Sequence, residues 1–346
     1  MRFMATIVDI AKKAGVSTAT VSYVLNKQKG NVPISEKTQK RVMLAVRELG
    51  YRRNEIARSM VSGKTRVIGF VLHILRLEHI GKILEGVLDE SEKNGYFIKI
   101  LRVNANMPEQ DIVRICMENR LAGLLISGIQ DKSLKYIHTK LSSEAVPIVA
   151  IDNALPLPGL VRILSDDRGG IGQAVKYLHE MGHGRIAFMS GIKETWVAME
   201  RDRGYRDALV KIGLPLRKEF IRYGNWEIND TERETEVLLK MPERPTAVVC
   251  ASDDMATIFI RKARQMGLIV PKDLSVTGFA DQPSAQLGDP ALTTVKQPFG
   301  EMGALGLRRL VELIEGKNNE AVPGQDTIIL ATELIVREST AQYKTH

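Results

Sequence analysis

Residues 6–26, TIVDIAKKAGVSTATVSYVLN, constrain the fold of this chain more than any other stretch. Thr6 is a suitable N-cap for a first helix, and Asp9 can complete a capping box three residues later. The apolar residues of this helix recur at helical spacing: Ile7, Ile10, Ala11 and Ala14. Gly15 then permits an abrupt change of direction. The stretch therefore predicts two short helices joined by a tight turn.

The second of these helices is predicted to begin after Ser17, which can cap it. Its predicted buried face consists of Val16, Thr20, Val21, Val24 and Leu25. Its predicted open face carries small or hydrogen-bonding side chains: Thr18, Ala19, Ser22, Tyr23 and Asn26. Such a helix fits the major groove of DNA, which admits a helix but little bulk at its point of entry. A purely structural three-helix module is the alternative interpretation.

The sequence up to residue 62 predicts two further helices. Pro33 and Ser35 mark the start of a third helix, which Gly50 ends. Its predicted buried residues are Val42, Ala45, Val46 and Leu49. A short helix is predicted over 54–62, before Gly63.

The charge distribution favours nucleic-acid binding over a purely structural module. The first 66 residues contain 14 lysines and arginines against 4 aspartates and glutamates. The other 280 residues contain 35 against 37, although the whole chain has a net charge of +8. The excess of positive charge is therefore concentrated on the helix-turn-helix, as expected of a surface that binds phosphates.

From residue 65 onward, apolar runs alternate with amphipathic stretches. Strands are predicted over 67–72, 96–103, 122–127, 146–151, 185–190, 247–251 and 275–279. Helices are predicted over 80–94, from Pro108, between the strands at 122–127 and 146–151, and over 169–181, 200–212, 253–266 and 300–315. This order indicates βαβ units with parallel strands, too many for one sheet of ordinary size. Two sheets would form two lobes, with a ligand cleft at the carboxyl ends of their strands.

Several features narrow the class of protein. The chain has two cysteines, Cys116 and Cys250, in a predicted helix and a predicted strand, which favours buried thiols in a reducing compartment. The sequence shows no signal peptide at its start and no apolar run near the roughly 20 residues of a membrane span. These features predict a cytoplasmic protein that does not enter a membrane. No common catalytic, cofactor or metal motif is present, so neither an enzyme nor a cofactor is predicted.

The chain resembles the lactose-repressor (LacI/GalR) family of bacterial transcription regulators. The matching strings in the first 66 residues are TIVDIAKKAGVSTATVSYVLN, SEKTQKRV, ELGY and NEIARSM. Later strings that match are MGHGRIAFMSG, RDRGYRDAL, LTTVKQP and ELIVREST.

The resemblance implies an all-α helix-turn-helix headpiece over 1–63 and a two-lobed α/β domain over 66–340. The latter would be similar to periplasmic binding proteins, with two parallel sheets and flanking helices. The expected first lobe comprises about 66–164 and 293–322, and the expected second lobe about 165–292 and 323–340.

The resemblance also implies how DNA is bound. A homodimer would place two headpieces on one pseudo-palindromic operator of double-stranded DNA, and a hinge helix over about 54–62 would enter the minor groove. Met60 stands where the family usually has a wedging leucine, a role open to methionine. Tyr23 stands where members often carry arginine, so the operator sequence cannot be transferred from them. The expected DNA-binding residues are Thr6, Ser17, Thr18, Ala19, Thr20, Ser22, Tyr23, Asn26, Asn54, Ala57, Arg58 and Met60.

The resemblance implies that the cleft binds a small-molecule effector, which in this family is usually a sugar or a purine. A sugar or sugar derivative is expected here. Arg201 matches the family's ligand-binding arginine, and Trp226 matches an aromatic residue that stacks on the ligand in some members. The full set of expected effector residues is His73, Arg76, His79, Asp167, Arg201, Trp226, Ser252, Asp253 and Asp281. Asp167 and Asp253 could instead be helix caps, and Trp226 could serve packing alone.

Two departures leave the effector open. The segment 73–80 differs from the family's usual string, and Ala280 replaces a carboxylate that often binds sugar hydroxyls. The first-lobe side is therefore remodelled for an unusual ligand, such as one with an anionic group for Arg76, or for none. His73, Glu78 and His79 match no strong zinc spacing. A solute-binding protein and an enzyme are the alternative classes; the basic headpiece disfavours the first, and the absence of catalytic motifs disfavours the second.

Overall fold

The computed structural model describes residues 5–26, 34–51, 65–73, 78–104, 106–317 and 326–343. The chain divides into two compact units, Met1–Thr65 and Arg66–His346. The first unit is helical in its described part, and the second contains two six-stranded sheets. This confirms the predicted fold class.

The first unit packs three helices around a small apolar core. They are α1 (Ile7–Ala14), α2 (Thr18–Asn26) and α3 (Glu36–Glu48). The Thr6 hydroxyl accepts from the Asp9 backbone N–H (3.3 Å), and the Asp9 carboxylate accepts from the Thr6 N–H (2.8 Å), which completes the predicted capping box. Gly15 ends α1 with a φ of +60°, a value that glycine adopts without strain. The fully buried core consists of Ile10, Ala11, Ala14, Val21, Val42 and Ala45.

The second unit alternates strands with helices, as the sequence pattern predicts. Its strands are β1 (Val67–Leu72), β2 (Phe97–Arg102), β3 (Gly123–Ser127), β4 (Ile148–Ile151), β5 (Val161–Ser165), β6 (Ile186–Ser190), β7 (Ile221–Tyr223), β8 (Ala247–Cys250), β9 (Ser275–Ala280), β10 (Thr293–Lys296), β11 (Thr327–Leu330) and β12 (Glu333–Ile335). Its helices are α4 (Glu78–Asn94), α5 (Glu109–Glu118), α6 (Asp131–Ser142), α7 (Asp167–Glu180), α8 (Trp196–Lys211), α9 (Ile228–Leu239), α10 (Asp253–Gln265), α11 (Pro283–Leu287) and α12 (Phe299–Ile314), and a 3-10 turn covers Lys218–Phe220.

Each sheet forms the centre of one lobe. The first-lobe sheet has the order β11-β5-β4-β3-β1-β2, and its described pairs are parallel. The second-lobe sheet has the order β12-β10-β9-β8-β6-β7 and is parallel except for the β10–β12 pair. Strands buried on both faces explain why the apolar runs are continuous rather than alternating.

The expected lobe boundaries near the C-terminus were wrong. The strand β10 lies in the second-lobe sheet, although the sequence division assigned residues from 293 to the first lobe. The strand β11 pairs with β5 of the first lobe, although 323–340 was assigned to the second. The chain therefore crosses between lobes after β5, after β10 and again between β11 and β12. Backbone pairing decides these assignments, and strands of three or four residues leave little pattern in a sequence.

Two helices of the first lobe pack unusually closely. A Cβ atom added to Gly86 of α4 would lie 1.9 Å from the Gly300 carbonyl oxygen, and one added to Gly303 of α12 would lie 2.0 Å from the Ile83 carbonyl oxygen. The absence of side chains at these glycines allows the two backbones to touch. Glu90 of α4 also pairs with Arg308 of α12 at 3.2 Å. This contact fixes the position of α4, whose first turn contains His79.

Candidate functional site

The open face of α2 agrees with the sequence prediction at its first turn. Thr18 and Ala19 are exposed, and Ser22 and Tyr23 are half-buried. The Ser17 hydroxyl accepts from the Thr20 backbone N–H (3.1 Å) and lies 2.9 Å from the Thr20 hydroxyl. Ser17 and Thr20 therefore stabilise the start of the helix as well as lying beside its open face.

Basic side chains surround these helices. The described lysines and arginines of the first unit are all exposed: Lys12, Lys13, Lys37, Lys40, Arg41 and Arg47. Lys13 pairs with Glu48 at 2.7 Å, with both side chains more than 40% exposed, so solvent screens this pair. The described part of the unit thus presents exposed positive charge suited to a phosphate backbone.

Some predicted site residues lie outside the described part of the chain. They are the side chain of Asn26, the hinge residues Asn54, Ala57, Arg58 and Met60, and Arg76 of the cleft. Their roles stay predictions from the sequence.

In the second unit, Arg201 is the centre of a buried polar network. Its Nε donates to Asp167 Oδ1 (2.7 Å), and a second guanidinium nitrogen lies 2.6 Å from the same oxygen. A third bond runs to the Ala251 carbonyl oxygen (2.5 Å), and a weaker one to Gln297 (3.4 Å). Its guanidinium also lies 3.9 Å above the Phe279 ring. The side chains of Arg201 and Asp167 are only 8% and 1% exposed, so they interact mainly with each other rather than with solvent.

This network reaches two of the chain crossings. Asp167 lies just after β5, where Ser165 donates to it at 3.3 Å. Gln297 lies just after β10 and donates to the Ser165 hydroxyl at 2.7 Å. Burial raises the pKa of Asp167, against the opposing effect of the Arg201 charge. Arg201 therefore connects the second-lobe wall of the cleft to the segments about which the lobes could move.

Asp253 lies in the same wall but holds a turn. One carboxylate oxygen accepts from the Thr294 hydroxyl (2.5 Å), and the other from the Gln282 backbone N–H (2.7 Å). Burial raises the pKa of Asp253 to about 6 although these hydrogen bonds oppose the shift. Ser252, not Asp253, is the N-cap of α10, and Asp166, not Asp167, is the N-cap of α7. The helix-cap interpretation of the two carboxylates was therefore wrong.

Asp281 is engaged by two cations. Its carboxylate lies 2.6 Å from Arg337, and its backbone carbonyl accepts from Lys82 of α4 at 2.7 Å. This leaves Asp281 less free for an effector than the sequence suggested.

Trp226 lies against the end of β6. A Cβ atom added to Gly191 would lie 1.8 Å from Trp226 Cζ2, so the indole occupies the space that any side chain at 191 would need. Asn225, which donates to Asp230 at 2.9 Å, precedes it. The ring is half-buried and packs against the apolar core of the second lobe.

The first-lobe wall contributes His79 and Asp152. His79 lies 5.4 Å from the Phe299 ring between centroids. Burial, and then the nearby Arg201 charge, lowers the pKa of His79 to about 4, so the imidazole is neutral at pH 7. Asp152 follows β4, and burial raises its pKa while Arg201 opposes the shift. His73 is exposed, and only its carbonyl has a described contact, with Arg102 (3.1 Å).

Unusual backbone geometry is concentrated at these strand ends. Positive φ angles occur at Asp152 (+55°), Asn225 (+53°), Trp226 (+60°), Ala280 (+126°) and Asp281 (+52°). Non-glycine residues in this region store strain and are enriched at functional sites. Ser127 and Ser190, which end β3 and β6, have buried hydroxyls without a hydrogen-bond partner among the described residues. Strain and unsatisfied polar groups both favour a ligand site at this edge of the sheets.

Sequence reasoning missed several of these residues. Asp152 and Gly191 each directly follow a predicted strand, so the rule that ligands lie at carboxyl ends of strands could have found them. Gln297 lies within the string LTTVKQP, which was recognised without a role. Nothing in the local sequence around Lys82 or Arg337 indicated that these residues contact Asp281. The described residues contain neither a group of three potential metal ligands nor a helix able to cross a bilayer.

Comparison with known protein families gives two matches. Residues 6–54 match the family described as bacterial regulatory proteins, lacI family. Residues 175–340 match a periplasmic binding protein-like domain. The boundaries fall within the two units of the fold.

Relatives of similar length carry both parts. The HTH-type transcriptional repressor PurR of Aliivibrio fischeri is 34% identical over 322 residues, which cover 92% of this chain and 94% of that protein. The repressor of the same name from Photobacterium profundum is 31% identical and covers 97% of this chain and 98% of its own.

Solved structures show the same architecture. A lac repressor dimer bound to operator and the anti-inducer ONPF has a TM-score of 0.79 at 26% identity, covering 98% of this chain and 100% of that one. The complex of the transcriptional regulator CelR with cellobiose has a TM-score of 0.71 at 28% identity, covering 97% and 99%.

Proposed function

The chain belongs to the lacI family of bacterial regulatory proteins, and from this premise we propose that it binds a two-fold symmetric operator as a homodimer under the control of a hydroxyl-rich effector. Its family identifies it as a DNA-binding transcriptional repressor, not an enzyme. The family resemblance read from the sequence is thereby confirmed. The operator contacts, the effector and the dimer are the finer proposals.

The observation that carries the DNA-binding proposal is the pairing of α2 with exposed basic residues. Thr18 and Ala19 are available to meet base edges, and the surrounding lysines and arginines neutralise phosphates. Tyr23 is proposed to make a single hydrogen bond or a ring contact in place of arginine's two-pronged bond to guanine. Met60 is proposed as the minor-groove wedge.

Selection of bound sequences from random double-stranded DNA tests this proposal. We expect enrichment of one site with two-fold symmetry, and we expect Tyr23→Arg to change the preferred bases in both half-sites. Lys37→Ala is the control, because removal of a phosphate contact should weaken binding without changing the preferred sequence. The DNA-binding proposal would be contradicted if no site were enriched either in the absence or in the presence of small metabolites. The role of Tyr23 would be contradicted if Tyr23→Arg left the preferred sequence unchanged.

The effector proposal rests on the ligand edge of the two sheets. Trp226 offers an aromatic platform, while Asp152, neutral His79 and the hydroxyls of Ser127 and Ser190 offer hydrogen-bonding groups. Aromatic stacking together with several directed hydrogen bonds suits a sugar or sugar derivative. The similar regulator CelR was solved as a complex with cellobiose, and a sugar ligand in that protein agrees with the proposed class.

Binding can be followed through Trp226 itself. In a Trp196→Phe background, Trp226 is the single tryptophan, and a panel of neutral and phosphorylated sugars can be screened by its fluorescence. We expect a saturable change with one class of sugar, lost in Asp152→Ala and retained in the exposed control Asp131→Ala. The absence of a response across the panel, checked by calorimetry, would contradict a sugar effector.

Exposed apolar side chains support the homodimer. Phe97 (65% exposed) lies on β2, an edge strand of the first-lobe sheet, and Leu287 (86%) lies on α11 of the second lobe. Exposed apolar residues at an unpaired strand mark a surface for association. We expect Phe97→Glu and Leu287→Glu together to raise the dimer dissociation constant at least tenfold in sedimentation experiments. Val210→Glu on α8, also highly exposed (76%), is the matched control, and an equal effect there would contradict this interface.

A further inference from the structure

One turn of the second lobe contacts the first lobe beside the crossing that follows β10, where Ala280 pairs with Lys296. Lys82 of α4 donates from Nζ to the backbone carbonyl oxygen of Asp281 (2.7 Å). On its own lobe, Asp281 is held by Arg337, with a separation of 2.6 Å and side chains only 12% and 16% exposed. The turn is therefore anchored to the second lobe by its carboxylate and to the first lobe by its carbonyl.

The residue before this turn packs against the first lobe. Ala280 ends β9 of the second lobe, yet it belongs to the apolar cluster that contains Phe299 and Met302 of the first lobe. It is 8% exposed. Its φ of +126° is ordinary only for glycine, so the surrounding contacts must hold it in place. A carboxylate at this position would be buried against apolar side chains, whereas the alanine methyl group fits them.

We propose that Ala280, Asp281 and Lys82 form a latch that holds the two lobes closed without any effector. The Lys82 bond joins a helix of one lobe to a turn of the other, so an opening that moves α4 away from this turn breaks it. The Arg337 pair lies within the second lobe and survives that motion, which keeps the carbonyl oriented for Lys82. The latch adds stability to the closed arrangement alone and thereby shifts the population toward it.

The latch has a consequence for the response to a ligand. A ligand changes the balance between two arrangements only through its different affinity for them. In this chain part of the closing free energy is supplied by its own residues. An effector that binds the closed arrangement would therefore need to supply less of the closing free energy. An effector that binds the open arrangement would have to break the latch.

The distance between the lobes tests the latch directly. Spin labels can be attached to cysteines at exposed positions of the two lobes, Lys135→Cys on α6 and Lys211→Cys on α8. Pulsed electron–electron double resonance then measures the distance between the labels. Both native cysteines are buried, and mass spectrometry can verify that they stay unlabelled. An excess of unlabelled protein ensures that a dimer contains at most one labelled chain, so that the measured distance lies within one chain. The experiment uses the full chain without DNA or effector, so its failure is distinguishable from failure of the proposed function.

Lys82→Met removes the interlobe hydrogen bond, and Arg337→Gln loosens the turn that accepts it. For both variants we expect a longer and broader distance distribution, with the closed-to-open ratio reduced about tenfold in Lys82→Met, because a hydrogen bond with a charged donor is lost. Lys93→Met is the matched control, since it removes the same charge from the same helix but pairs with Glu90 of its own lobe. An unchanged distribution in Lys82→Met, or an equal change in Lys93→Met, would overturn the latch.

Discussion

The two walls of the cleft are built in different ways. The second-lobe wall contains a network that joins Arg201, Asp167 and Gln297. Asp253 is held separately by Thr294 and Gln282, and all four residues are buried, including Asp253 itself. The first-lobe wall presents His79 and Asp152, whose side chains have few described contacts beyond a ring neighbour and the Arg201 charge. The Arg201 network satisfies its own hydrogen bonds, although Ser190 of the same lobe has a hydroxyl without a described partner. The first-lobe wall retains groups for an additional partner.

This difference suggests a division of roles. A network that satisfies its own hydrogen bonds is suited to hold a fixed geometry, because its members lose little when the ligand leaves. Groups with spare hydrogen-bonding capacity discriminate between ligands, because an ill-matched ligand leaves them unpaired. We therefore expect mutations of the second-lobe wall to affect stability and those of the first-lobe wall to affect selectivity.

The largest effect is expected from Arg201→Ala. It leaves the Asp167 carboxylate buried without its cation, which should lower the free energy of unfolding by about 3–5 kcal/mol. Arg168→Ala is the matched control, because it breaks an arginine–aspartate pair between the same two helices, α7 and α8, with side chains 55% and 42% exposed. That change should cost at most about 1 kcal/mol. Urea denaturation measures both.

The double variant Arg201→Ala, Asp167→Ala makes this prediction sharper. If the cost comes from an unpaired buried charge, removal of both partners should restore part of the lost stability. A double variant less stable than Arg201→Ala alone would show that packing of the arginine side chain dominates, and the second-lobe wall would then be an apolar scaffold in energetic terms.

Replacement of two glycines, one in each lobe, is expected to change the free energy of unfolding by smaller amounts of opposite sign. Gly191→Ala places a Cβ inside the space of the Trp226 ring, so we expect a loss of about 1–3 kcal/mol and displacement of the indole. Gly81→Ala in α4 meets no atom within 4 Å and should stabilise the chain by about 0.5–1 kcal/mol. Thermal unfolding and Trp226 emission check both changes. If the two substitutions destabilised the chain equally, the two walls would not differ in their tolerance of an added methyl group.

The smallest expected effect is a difference in how the pH dependence of stability changes when His79 or Asp253 is replaced. The pKa of His79 is lowered in the folded chain, so its contribution to stability is lost as pH falls from about 6.5 to about 4. The pKa of Asp253 is raised, so the folded chain binds a proton before the unfolded chain does, and stability rises as pH falls from about 6 to about 4.

Substitutions separate the two contributions. Relative to the parent, His79→Gln should reduce the loss of unfolding free energy between pH 7.5 and 4.5, and Asp253→Asn should increase it. His73→Gln, an exposed substitution on the first lobe, should leave the change as it is in the parent. Shifts of the same sign in the first two variants would mean that the walls do not differ in their electrostatics.

Local sequence patterns determined the described part of the headpiece. Capping residues, a left-handed glycine and apolar residues at helical spacing act within a few positions of one another, so Thr6, Gly15 and Ser17 could be assigned from local rules. The alternation of strands and helices in the second unit was likewise evident. The charge asymmetry and the family strings then pointed to DNA binding.

Tertiary structure alone decided how the cleft is built. The sequence identified Arg201 and Asp167 separately, but their mutual commitment depends on two helices that pack side by side. It assigned β10 and β11 to the wrong lobes, because sheet membership depends on backbone pairing across long separations. It gave no sign that Lys82 would reach Asp281, 199 positions away along the chain. Local patterns carry secondary structure since their physics is local, whereas partners in a cleft are set by packing of the whole chain.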